Sequence, residues 1–333
     1  FTVNDTLNWG SGNIDVDPMF VDTTNGNYHL LASSKLINAG HPDSTDSDGT
    51  RADIGAYPYL NSYSGPTWYV SAADGNNTTA TGASTAPFKS IQSAINFATT
   101  TSDSVTVAAG TYVENINFRG RNIKVVGADR NTTIIDGNQN GSVVLFHGQE
   151  DSTALVKGFT IQNGSGYYSN SDAQGGGIHI QSSNPTLDDL IISNNILDAN
   201  TGSPNGGGIM AYSSDGLSIK NTIIRDNISW NSGGGINIHN STADLENVSI
   251  INNQTDNQGG GIYSYGSYLN LTNVLIADNY LRHDGSGSAI YSWNDGSGSA
   301  GSLTIINCTV VNNTGGTDEI STNLNPAPII YNS

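Results

Sequence analysis

The sequence predicts an all-β solenoid, a stack of short coils, and three observations carry that prediction. A motif returns five times between Gly175 and Asn313: Gly-Gly-Gly-Ile (Gly-Ser-Ala-Ile in the last copy), then Leu or Ile, then two spaced polar residues. Those polar columns are Asp189, Asn221, Asn247, Asn273, Asn307 and Asn195, Asn227, Asn253, Asn279, Asn313. They stay six residues apart while the period between copies varies from 26 to 34. A fixed interior with variable spacers is the pattern of coils whose length changes sit in their turns. Finally, 40 glycines and only 12% charged residues in 333 suit short strands joined by tight turns.

Each repeat alternates as a strand should, for example Ile236-Asn237-Ile238-His239 and Val248-Ser249-Ile250. Stacking would bury the column Ile178, Ile209, Ile236, Ile262, Ile290 and the column Leu187, Ile219, Leu245, Leu271, Ile305 in one core. The recurring Asn residues are expected to stack as ladders, each amide bonding its counterpart one coil away. At a strand spacing of ~4.8 Å, about ten coils would make a rod roughly 50 Å long. The single cysteine, Cys308, excludes an intrachain disulfide framework. It falls in the column of Leu190, Thr222, Val248 and Val274 and reads as a buried small hydrophobe.

A net charge of −18 disfavours nucleic acid and anionic membranes as partners, and favours divalent cations and neutral ligands. The sequence shows no bilayer-spanning apolar run and no signal peptide. Phe1 is not an initiator Met, which suits a processed or excised part of something longer. Low charge and few Lys associate with an extracellular location. Asn-x-Ser/Thr triplets such as Asn77-Thr78-Thr79 are expected by chance in so Asn-, Ser- and Thr-rich a chain, and glycosylation stays open.

Several segments resemble known proteins. The repeats are similar to those of secreted right-handed parallel β-helix proteins of the polymorphic outer-membrane-protein type. Trp68-Tyr69-Val70-Ser71, Asp74-Gly75-Asn76 and Pro87-Phe88-Lys89-Ser90-Ile91 resemble the opening of pectate-lyase-like β-helices. The resemblance implies a right-handed parallel β-helix with a short capping helix near residues 91–98, and a β-helix domain over residues 66–333. Val105-Thr106-Val107 with Gly110-Thr111-Tyr112, then Ile123–Gly127 and Thr133–Gly137, resemble the first coils. It implies little about activity, because this fold hosts lyases, hydrolases, adhesins and stalks.

The order of segments departs from the family. Asp15-Val16-Asp17-Pro18, Ile37-Asn38-Ala39-Gly40 and Asp53-Ile54-Gly55-Ala56-Tyr57 resemble a closing segment, yet here they come first. Residues 1–60 are therefore read as a closing or capping segment. Ile330-Tyr331-Asn332-Ser333 followed by Phe1-Thr2-Val3 would read on as an ordinary coil. Two placements follow: head-to-tail completion of a neighbouring subunit or repeat, giving a filament or stalk, or folding back on the same chain.

The exposed chemistry is sparse. With the Ile columns inward, the outward columns are His179, Met210, Asn237, Tyr263, Tyr291 and Gln181, Tyr212, His239, Tyr265, Trp293. The candidate binding face is thus Tyr212, His239, Tyr263, Tyr265, Tyr291 and Trp293. Its alternatives are a stabilising ladder, lateral or adhesive packing, and stacking on sugar rings of a polysaccharide. Three lengthened spacers, 164–174 with Tyr167 and Tyr168, 196–205, and 280–286, are placed to wall a groove beside it. Asp43, Asp46, Asp48 and Asp53 pack carboxylates into a Gly-containing loop that suits Ca²⁺, or a solvated acidic turn. Asp15, Asp17 and Asp22 form a weaker second candidate. The Lys and Arg residues, among them the Arg119, Arg121, Lys124 cluster, and the adjacent pair Asp188-Asp189 compose no catalytic constellation. The expectation is a non-enzymatic, extracellular structural or adhesive protein; the alternative is a carbohydrate-active β-helix that binds a glycan or acts as a lyase.

Overall fold

A computed structural model describes residues 13–169, 172–198, 200, 202–294, 301–324 and 326–333. The proposed join of the chain's end to Phe1-Thr2-Val3 lies outside these residues. The chain forms a parallel β-helix with three main faces. One is a ten-stranded sheet running from Thr67–Val70 to Ile329–Tyr331, and the other two have eight strands each. Successive coils pair in parallel and in register: Ile178, Ile209, Ile236, Ile262 and Ile290 lie one above another. So do Leu187, Ile219, Leu245, Leu271 and Ile305. Both columns are buried to within 1% of complete, which makes one continuous core along the stack. Cys308 is buried in the column predicted for it.

The two polar columns divide into different devices. Asn195, Asn227, Asn253, Asn279 and Asn313 form a buried ladder in which each Nδ2 donates to the next Oδ1 at 2.9–3.0 Å. Each backbone N–H also donates to the next coil's Oδ1, at 2.9–3.1 Å. The other column is a turn. Asp189, Asn221, Asn247, Asn273 and Asn307 hold φ between 51° and 56°, the left-handed region that Asn and Asp tolerate best. Its side-chain contacts along the column are exposed and longer, 3.4 Å from Asn247 to Asn221 and 3.2 Å from Asn273 to Asn247, while Asn221 Nδ2 donates sideways to Asp188 at 2.8 Å. A second left-handed column, Asn194, Asp226, Asn252, Asp278, Asn312, sits one residue before each buried Asn.

The glycine seam has a steric cause. A Cβ at Gly234 would lie 2.6 Å from the Gly260 carbonyl oxygen of the next coil and 2.7 Å from Gln254 backbone atoms. At Gly234 the next coil approaches too closely for a side chain, whereas the last copy carries Ser288 and Ala289 in the seam.

The predicted capping helix, α1, is Ile91–Phe97, and every residue in it is buried. Glu114 closes its first turn by accepting from the N–H groups of Ile91 (2.7 Å) and Gln92 (3.0 Å). Arg121 closes the other end by donating to the carbonyls of Ile95 and Ala98. The described part of the leading segment lies over this end of its own chain. Its Leu30, Ala32, Leu36 and Ile37 join the same core. Asn96 Nδ2 donates to the Ala32 and Ser34 carbonyls, Asn38 Nδ2 to that of Asn96, and the Tyr59 hydroxyl to that of Ala80. At the other end of the sheet, Ile329, Ile330 and Tyr331 are exposed.

Candidate functional site

The second outward column forms a run of rings along one face. Tyr212 and His239 stack at 5.1 Å and 20°, and His239 and Tyr265 at 4.5 Å and 18°. Trp293 continues the column 5.4 Å from Tyr265 but tilts by 53°, and its strand partner on the far side is Asn323. In the first column Tyr263 and Tyr291 stack at 5.6 Å and 7°. All six predicted residues are therefore brought together. Their faces, however, are turned largely on each other, so the column presents mostly ring edges outward. Burial pushes the Tyr263 hydroxyl up to about 12, with the neighbouring Tyr291 and Tyr265 adding to it. Burial also pulls His239 below the usual imidazole range, so it stacks as a neutral ring near neutral pH.

The early part of the first column is not exposed as the alternation predicts. His179, Met210 and Asn237 are 1%, 4% and 2% accessible. Spacers meet two of them: the Tyr167 ring lies 4.9 Å from that of His179, and Asn237 Nδ2 reaches the Ser232 carbonyl at 3.4 Å. Burial holds His179 down to about 4. Period-2 alternation locates the outer face of a strand but cannot show what packs on that face.

The spacers are ordered against one another, coil by coil, as a ledge. Parallel bridges run Gln174–Asn205–Ser232–Gln258–Ser286 and Ile196–Ile228–Gln254. Asn231 bonds Asn205 at 2.9 Å, and Asn257 bonds Asn231 at 3.0 Å, making a second Asn ladder that the sequence columns did not include. Arg282 ties three coils of the ledge together. Its guanidinium lies 3.5 Å from the Trp230 ring centroid, its Nε is 2.6 Å from Asp256, and its Nη2 donates to the Ser229 carbonyl. A cavity of about 450 Å³ opens on the ledge, lined by Tyr168, Ile196, Leu197, Asp198 and Trp230 among others.

The acidic loop is organised by its own backbone. Asp46 accepts from the Asp53 N–H, and Asp48 from the Thr50 N–H and hydroxyl and the Asn61 N–H. Asp53 accepts from the N–H groups of Asn38 and Tyr59. Burial, with the Asp46 and Asp48 charges nearby, still pushes Asp53 up to about 6. Against the pull of burial, the N–H of Asn61 and the Thr50 donors hold Asp48 below the usual carboxylate range. Among the described residues Asp43 is paired only with His41, at 3.9 Å. Among the described residues no group of three or more His, Cys, Asp or Glu side chains is placed to hold a metal ion. A Ca²⁺ ion taking Asp43, Asp46, Asp48 and Asp53 as ligands would have to draw carboxylates off these N–H donors. In the weaker candidate, Asp17 and Asp22 likewise accept from nearby N–H groups.

Asp188 and Asp189 are paired rather than poised. Lys157 contacts Asp188 at 2.7 Å, and Arg130 lies 3.4 Å from Asp189. No described helix is long and apolar enough to cross a membrane.

No protein-family model matches the chain, and no curated protein matches it. Two solved structures of low similarity align with part of the chain. A pectin methylesterase in complex with hexasaccharide VII has a TM-score of 0.34 at 13% identity, over 68% of this chain and 63% of that one. A GH136 lacto-N-biosidase from Eubacterium ramulus has a TM-score of 0.34 at 13% identity, over 78% of this chain and 55% of that one. The chain thus spans less than two thirds of the length of either.

Proposed function

We propose that the protein is a non-enzymatic, extracellular β-helix rod with a structural or adhesive role, and that the ring column is its lateral contact face. The observation that supports this reading is the stacking of Tyr212, His239 and Tyr265 face against face, which leaves mostly ring edges outward. Such a column stiffens the stack and offers a flat amphipathic strip for a neighbouring surface. Head-to-tail assembly is the finer form of the proposal. It requires the leading segment to exchange the contacts of Leu30 to Ile37 with its own core for the same contacts on a neighbour.

The test is sedimentation velocity over a wide concentration range, beside a cleavage screen against a panel of acidic and neutral polysaccharides. Concentration-dependent association that Trp293→Ala with Tyr265→Ala abolishes, with no new chain ends in any polysaccharide, is the expected result. New reducing ends or unsaturated uronates would overturn the non-enzymatic reading.

A second reading, glycan binding, is favoured by the ledge cavity. Its Tyr168 and Trp230 rings beside Asp198 give the apolar wall and polar group that sugar sites combine. The carbohydrate-directed activities named for the similar solved structures belong to those proteins and lend this reading no weight. Affinity electrophoresis with Tyr168→Ala, an exposed position, separates the two: retardation lost in that variant assigns the cavity to a glycan.

A further inference from the structure

We propose that the cleft between the leading segment and the first coil binds a tetrahedral oxyanion, the sulfate or phosphate group of a small ligand, through Lys35, Arg51, Arg119 and Arg121. The cleft has a volume of about 390 Å³, and these four cations are among its nine lining residues, none of which is acidic. The whole chain has only 11 Lys and Arg against 29 Asp and Glu. A third of its cations thus converge on one recess of an otherwise anionic molecule.

The guanidinium groups are oriented but not neutralised. Among the described residues, none of the four cations lies within 4.0 Å of a carboxylate. Arg51 donates from Nε and Nη2 to the Gly40 carbonyl. Arg119 donates from both Nη atoms to the carbonyls of Lys35 and Ile37 and to Asn96 Oδ1. Arg121 donates from Nη1 alone to the end of α1. Among the described residues these acceptors fix the planes of the groups and leave Arg51 Nη1, Arg119 Nε, and Arg121 Nε and Nη2 without a protein partner. The acids beside these cations are already committed: Asp53 to the Asn38 and Tyr59 N–H groups, Asp103 to those of Thr99 and Thr100, and Asp48, which lines the adjoining cavity with Arg51 and Arg121, to Thr50 and the Asn61 N–H.

Chemistry selects the ligand class. Donors that reach the cleft from separate segments suit an anion with acceptors pointing in several directions, and a doubly charged group offsets the stacked cations better than one carboxylate. Burial, with Arg119 and Arg51 nearby, pulls Arg121 down to about 9, and the Asp103 charge only partly opposes this. The cleft exceeds a bare sulfate in size, which leaves room for the body that carries it. A bound oxyanion would also bridge Arg51 of the leading segment to Arg119 and Arg121 of the first coil, pinning the cap.

Isothermal titration tests this, with inorganic sulfate and phosphate and then a monosaccharide 6-sulfate and 6-phosphate, all against chloride at matched ionic strength. Saturable one-site binding that weakens at least tenfold in Arg51→Gln and severalfold in Lys35→Ala is expected. Both positions are exposed, so the second variant stands if the first fails to fold. Tighter binding of the ester assigns the ligand to a substituted sugar or similar body, and equal binding assigns it to the free ion; either supports the site. No saturable binding beyond the chloride control, or unchanged affinity in both folded variants, would overturn it.

Discussion

Replacing Asn253 by Ala tests what holds the coils in register. Asn253 Oδ1 accepts from the backbone N–H of Asn227 at 3.1 Å and from Asn227 Nδ2 at 3.0 Å. Its Nδ2 donates to Asn279 Oδ1 at 3.0 Å and to the Ile224 carbonyl at 3.0 Å. Truncation leaves the Asn227 N–H with no acceptor and takes one partner each from Asn227 Nδ2 and the Ile224 oxygen. Asn279 Oδ1 keeps its second donor, the Asn253 N–H at 2.9 Å. An orphaned buried donor costs about 1–3 kcal/mol and each weakened partner about 1 kcal/mol, so the change should cost about 3–5 kcal/mol. The control is Asn270→Ala, whose side chain makes an exposed bond to Asp244; that change should cost under about 1 kcal/mol. Urea denaturation gives the two values. Because coils contact only their neighbours, hydrogen exchange should rise at Ile224–Asn227 and Ile250–Asn253 first, and little near Val125. Equal costs for the two variants, or exchange rising evenly along the rod, would refute the ladder as the element that sets register.

Two further outcomes follow from the coil geometry and the cap. Gly234→Ala should cost about 2–3 kcal/mol by overpacking against Gly260 and Gln254 backbone, whereas Gly216→Ala, where a Cβ meets nothing nearer than 3.6 Å, should cost little; thermal unfolding of both compares them. Glu114 is only partly exposed, and burial pushes its carboxyl up to about 7 from an ordinary 4.5, against the two α1 N–H groups that favour its charge. Its folded value is raised, so the stability it confers is present in full below about pH 4.5 and is lost as the pH climbs through 7. Wild type should therefore lose up to about 3 kcal/mol relative to Glu114→Gln between pH 4.5 and pH 8. Parallel urea-unfolding curves for the two proteins across that window would show that Glu114 carries no such load.

Fold was legible in the sequence because each coil repeats one solution. Ile236, Leu245 and Asn253 occupy the same places in every turn, so five copies average away local ambiguity. The buried Asn ladder and the turn column of Asn247 were both visible as columns, but their different roles were not. A side chain that bonds across coils and one that tolerates positive φ call for the same residue type. The ledge was visible only as variable spacing, since Arg282, Trp230 and Asp256 recur in no column and meet only through the stacking of three successive coils. The cationic cleft was the least legible feature. Arg119 and Arg121 stood together in the sequence, but Lys35 and Arg51 lie 68 to 86 residues earlier and arrive by the fold-back of the leading segment.

This distribution has a functional consequence. In a solenoid the repeated residues must satisfy one coil against the next, so they are spent on stability and are poor carriers of specificity. Tyr212, His239 and Tyr265 illustrate this, being in columns and stacked on each other. Residues that occur once are free of that duty. Arg51, Arg119 and Arg121 at the cap, and Tyr168 and Trp230 on the ledge, are of this kind and line the recesses of about 390 Å³ and 450 Å³. If the protein discriminates among ligands, substitutions at these non-repeated positions should alter binding with little effect on the stability of distant coils, and substitutions in the columns should do the reverse. Binding and hydrogen exchange measured together on Arg51→Gln and Asn253→Ala separate the two roles: each variant should fail one assay and pass the other.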